Sequence, residues 1–137
     1  MPTEIVNVNE QLRDYFDGVL EEVVDALPTE ARALLDDVPL YVEDYPAPEL
    51  LREFGLRHRA GLCGLYTGIP LGDRRVEQSG VLSDVIHVFR EGVLGMATSA
   101  RGKIDEAELR RQIRITILHE LGHHHGLTEE ELEAMGY

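Results

Sequence analysis

A chain of 137 residues, 43% hydrophobic and 28% charged, has the size and balance of one globular domain over residues 1–137, and no apolar run approaches the roughly 20 residues that cross a bilayer. The net charge of −13, with 13 scattered Lys and Arg, argues against a nucleic-acid partner and weakly favours divalent cations. Residues 1–16 lack a basic start followed by an apolar stretch, and the one cysteine, Cys63, has no partner within the chain; both point to a reducing cytoplasm.

Residues 10–27 place Leu12, Tyr15, Phe16, Val19, Leu20, Val23, Val24 and Leu27 at the three-and-four spacing of an amphipathic helix, which Pro28 ends. A shorter helix is expected over 29–35, then a strand over 38–44. Two prolines and mixed charge make 45–60 a loop with a helical turn near 49–54. Residues 61–71, GLCGLYTGIPL, alternate small and apolar residues between glycines, as a strand does where another backbone comes close. A polar connection, DRRVEQSG, leads to a strand over 84–89, and 92–100 reads as a short helix or a loop. The last long helix starts near Asp105, where a capping oxygen stands three residues ahead of Glu108, and carries Leu109, Ile113, Ile117 and Leu121 on one face. It runs to about His125 before Gly126 stops it, and Thr128 with Glu131 caps a final short helix.

The end of that long helix reads HELGHHHGLTEE, residues 119–130. His119 and His123 are four apart, so their imidazoles lie about 40 degrees apart on one helix face and can share an ion. Neutral imidazole suits zinc. Glu120, one step round, stands beside the ion, where it can accept a proton from a metal-bound water as the Glu of HExxH does in zinc metallopeptidases. By chance HExxH is expected on the order of a few times in a hundred such chains, but with the glycine and the acid that follow it roughly once in a thousand, so the longer pattern carries the argument. His124 and His125 lie about 100 and 200 degrees round from His123, and read as helix-terminal cations facing the macrodipole.

The glycine turn points to candidates for the third ligand. In HExxHxxGxxH proteins the residue ten beyond the first His returns to the metal, and here that residue is Glu129. Two His and one Glu form a catalytic set that leaves a position open for water. Glu130 and Glu133 are the alternatives, and Glu129, Glu130 and Glu131 also fit as first-turn residues favoured by the last helix's dipole.

Three stretches together resemble a family of small zinc metallopeptidases with a minimal zincin-like fold: GLYTGIPL at 64–71, SGVLSDVI at 79–86 and ILHELGHHHGLTEEEL at 117–132. The resemblance covers roughly residue 38 onward. It implies an α+β fold with a small mixed sheet packed on the metal-binding helix, zinc held by His119 and His123, Glu120 as base, and the acid at 129 as third ligand. The family pattern usually has Asp there; Glu129 is one methylene longer.

Among other residues, Tyr66 is either a half-buried strand tyrosine or a donor to the scissile carbonyl. Arg74 and Arg75 are a solvated pair or a clamp for a substrate carboxylate. His87 should face away from Ile86 and Val88 as a surface or packed residue, and Cys63 reads as a small buried hydrophobe. The expected function is zinc-dependent hydrolysis of a peptide or protein substrate, with no nucleic-acid or membrane partner; its rival is a zinc-stabilised binding module without appreciable hydrolysis.

Overall fold

The computed structural model describes residues 8–68 and 84–134, apart from the side chains of Glu129, Leu132 and Glu133. The expectations for the polar connection, for Arg74 and Arg75, and for the far end of the 61–71 strand lie outside the described residues.

Helix α1 (Glu10–Asp25) opens on Asn9, whose side-chain oxygen accepts the Leu12 N–H at 2.8 Å, and it buries Phe16, Val19, Leu20 and Val23 as its period requires. Helix α2 (Thr29–Asp37) runs past the expected residue 35, so Val38, fully buried, is its C-cap rather than the first strand residue. Strand β1 (Leu40–Glu43) is correspondingly shorter than its apolar stretch. Helix α3 (Pro48–Glu53) fills the place of the expected turn, with proline at its first position where no backbone N–H is required. A 3-10 turn (Arg59–Gly61) then leads into strand β2 (Gly64–Thr67).

Among the described residues strand β3 (Val85–Phe89) is central: β1 pairs with it in parallel and β2 antiparallel, giving a mixed sheet in the order β1-β3-β2 with β2 on an edge. Ile86 and Val88 point into the core, while His87 takes the opposite face as its alternation demands. There its Nδ1 lies 2.9 Å from Glu43 Oε1, with the rings of Tyr41 and Phe89 on either side.

The undecided stretch after β3 is helix α4 (Arg90–Ala97), which buries Val93, Leu94 and Ala97. Gly92 is needed there because a Cβ would stand 2.2 Å from the Leu62 carbonyl oxygen. Arg90 clamps Asp17 of α1 through two 2.9 Å hydrogen bonds and reaches Asp44 at 2.9 Å, tying α1 and the end of β1 to α4.

Helix α5 (Glu106–His124) starts where its Asp105 cap accepts the Glu108 N–H at 3.2 Å, and packs against α1, α4 and the sheet. Leu109, Ile113, Ile117 and Leu121 are buried along one stripe, each worth about 1.5–3 kcal/mol relative to exposure. Gly126, at φ 82°, ends it. Thr128 and Glu131 then form a reciprocal capping box on helix α6 (Glu129–Ala134), through Glu131 N–H to Thr128 Oγ1 at 3.2 Å and Thr128 N–H to Glu131 Oε1 at 3.3 Å. The chain is thus α+β, a small mixed sheet on a helical layer. No helix among the described residues is long and apolar enough to cross a membrane.

Candidate metal centre

The last two turns of α5 carry a second buried stripe beside the apolar one. Thr116, Glu120 and His124 are 6%, 8% and 4% exposed, again at four-residue spacing, and this stripe faces β2. The approach is close because Gly64 has no side chain: a Cβ there would meet Thr116 Cγ2 at 2.6 Å, the His87 carbonyl oxygen at 3.0 Å and Glu120 Cγ at 3.4 Å. Thr116 satisfies its hydroxyl within the helix, donating to the Gln112 carbonyl at 2.7 Å.

One step round the helix from Glu120, His119 and His123 sit half-buried with their rings edge-on, centroids 4.8 Å apart. Ligand-capable atoms of His119, Glu120 and His123 all lie within 4.8 Å of one another, so the structure brings together three of the residues singled out by spacing. The fit to a metal rests on the donors. His123 Nδ1 is 3.1 Å from the Leu127 carbonyl oxygen, which can only accept, so the hydrogen is on Nδ1 and the lone pair on Nε2. A backbone carbonyl that fixes the tautomer in this way is the usual support of a metal-binding histidine. That contact spans the glycine turn and holds the start of α6 near His123. Glu129 is the first residue of α6, but its side chain lies outside the described residues, as does that of Glu133; Glu130 is exposed.

The three residues open on a cleft of about 720 Å³ between α5 and β2. Gly64, Leu65, Tyr66 and Gly68 form one wall, Gln112, Ile115 and Thr116 another, and Phe54, Leu62 and Leu127 add apolar surface. Cys63 is also in this wall, where burial, and next the charge of Glu120, pushes its thiol up to about 11, so at neutral pH it is an uncharged, largely apolar surface.

His124 corrects the sequence reading. It is not an exposed cation at the helix end but a buried side chain whose Nδ1 lies 2.8 Å from Asp84 Oδ2 and 3.3 Å from Tyr66 Oη. His125, the C-cap, is exposed as expected. Helical angle alone showed only that His124 turns away from the His119 and His123 face. The signal for its partners was that Tyr66, Asp84 and His124 each fall in one of the three family-like stretches.

A helix that gathers His119, Glu120 and His123 and is closed by a glycine turn, beside a small mixed sheet, is the arrangement expected of a zincin-like metallopeptidase. A family model described as zincin-like metallopeptidase matches residues 35–137, more than half of the chain, and the protein belongs to that family. No curated protein matches the chain.

Proposed function

We propose that this protein is a zinc-dependent peptidase in which His119, His123 and Glu129 hold the ion and Glu120 is the general base. The observation that carries the reading is the convergence of His119, Glu120 and His123 within 4.8 Å at a cleft bordered by an edge strand. When bound, zinc supplies Lewis acidity, polarising the substrate carbonyl and bringing the pKa of water down to about 7. Glu120 takes the proton of the attacking water on a carboxylate oxygen and passes it to the departing amine nitrogen, so that water and a peptide bond become an acid and an amine. Among the described residues β2 has one edge paired to β3, and its other edge can take an extended peptide through backbone hydrogen bonds.

The cleft favours the class of substrate. Among the described residues its lining contains Phe54, Leu62, Leu65, Ile115 and Leu127 but no Lys or Arg, and Glu120 is its one acid. Peptides with neutral, apolar side chains at the cut bond are therefore the expected substrates. The lone cysteine supports a cytoplasmic setting.

Elemental analysis of protein purified without an affinity tag, followed by digestion of a peptide library read by mass spectrometry, tests this. The expected result is about one zinc per chain, cleavage beside apolar residues, loss of cleavage with a chelator and recovery with zinc. Well under one zinc per chain, with no gain in stability on adding zinc, would overturn the reading. A zinc-loaded chain that cleaves nothing would favour a zinc-stabilised binding module.

A further inference from the structure

The hydrolytic reading makes no use of the buried pair formed by Asp84 and His124. Neither residue lines the cleft, yet Asp84 is 6% and His124 4% exposed, and His124 meets the side chain of Tyr66, which does line it. The carboxylate is seated closely: a Cβ on Gly68, which has φ 141°, would stand 2.2 Å from Asp84 Oδ1. The Tyr66 and His124 rings meet edge-on, with centroids 5.6 Å apart at 67°.

The donor count orders these three groups. A carboxylate oxygen only accepts, so the hydrogen in the 2.8 Å contact with Asp84 belongs to His124 Nδ1. An Nδ1 that carries a hydrogen has no lone pair to offer a hydroxyl. At 3.3 Å the Tyr66 oxygen is therefore a second acceptor of the same N–H, and the phenol hydrogen is directed away from His124.

We propose that Asp84 and His124 are positioning residues for Tyr66, holding its hydroxyl at the cleft wall as a donor to the peptide oxygen on which negative charge develops during attack. This rests on the hydrolytic reading above. Tyr66 is then a catalytic residue, while Asp84 and His124 act only through it. A preorganised donor of this kind is worth about 10²–10³ in kcat, because it strengthens as charge grows on the oxygen and so acts on kcat more than on KM.

The test compares Tyr66→Phe, His124→Leu, His124→Asn and the double variant Tyr66→Phe/His124→Leu, each loaded with zinc and checked for metal content and unfolding midpoint. Asn places an amide hydrogen near the position of Nδ1–H, so His124→Asn is the conservative rescue and remains informative should His124→Leu fold poorly. Tyr66→Phe and His124→Leu are each expected to lower kcat about 100-fold with KM nearly unchanged, and His124→Leu in the Tyr66→Phe background to add less than about threefold. His124→Asn should recover most of the loss.

A second readout needs no turnover: in the metal-free wild type, long-range proton–nitrogen spectra of the imidazoles should put the His124 hydrogen on Nδ1, with a resonance that moves in Tyr66→Phe. A hydrogen on Nε2 instead, or losses that multiply in the double variant, would overturn this proposal while leaving the hydrolytic reading intact. A zinc-loaded wild type that turns over no peptide would overturn the hydrolytic reading, and the donor role with it, whatever the spectrum shows.

Discussion

Two stripes run along α5 at the same four-residue spacing and with opposite chemistry. Leu109, Ile113, Ile117 and Leu121 form the apolar one, against α1 and α4; Thr116, Glu120 and His124 form the polar one, against β2. Positions 116 and 117, or 120 and 121, are neighbours in sequence but about 100 degrees apart on the helix, so one element serves two environments. The apolar stripe gains free energy by leaving water. The polar stripe loses it unless each group finds a partner, which is why Thr116 bonds Gln112 and His124 meets Asp84. Stability and chemistry are thereby separated by a third of a helical turn, and the first holds the second in place.

That separation can be broken from either side. Ile113→Ala, in the apolar stripe and outside the cleft, should lower unfolding free energy by about 2–5 kcal/mol in urea titrations, while the turnover of the folded fraction stays unchanged. An equal loss of turnover per folded molecule would mean that the stripes are not independent. Gly64→Ala acts where strand and helix touch: with Thr116 Cγ2 only 2.6 Å from the new carbon, β2 must move off α5. The expected cost is about 1–3 kcal/mol, with weaker zinc retention on dialysis, and a variant of unchanged stability and metal content would show that the close approach is dispensable.

The smallest effect lies outside both stripes, at Asp44. Arg13 foremost, and Arg90 with it, hold this carboxyl below its ordinary pKa against the opposing effect of burial. A folded-state pKa below the unfolded value of about 3.9 gives stability that is present above that pH and is lost as the pH falls through the folded value. Asp44→Asn should therefore flatten the acid limb of the stability curve below about pH 4 and leave the cleft chemistry alone. An unchanged acid limb would remove Asp44 from the account.

How much of this was legible in the sequence follows from the range of each interaction. α1 and α5 were readable because their apolar periods are local and their caps, Asn9 and Asp105, stand beside them. The strands were overread: Val38 is as apolar and as buried as a strand residue, but it closes a helix. α4 stayed ambiguous because Gly92 and Gly95 lower helix propensity, and the reason for Gly92 is a contact with Leu62, thirty residues earlier. In the candidate site, the gathering of His119, Glu120 and His123 at one helix end was readable from their spacing. The partners of His124 were not, since Asp84 stands just before β3 and Tyr66 in β2, and no periodicity connects them to the helix.

The account turns on Glu120 doing chemistry rather than holding the fold or the metal. Zinc content and peptide turnover, measured side by side for the wild type and Glu120→Gln, test that most directly. We expect zinc per chain to be unchanged and kcat to fall about 10²–10⁴-fold. Loss of zinc from the variant, or turnover within about threefold of the wild type, would contradict the assignment of Glu120 as the base.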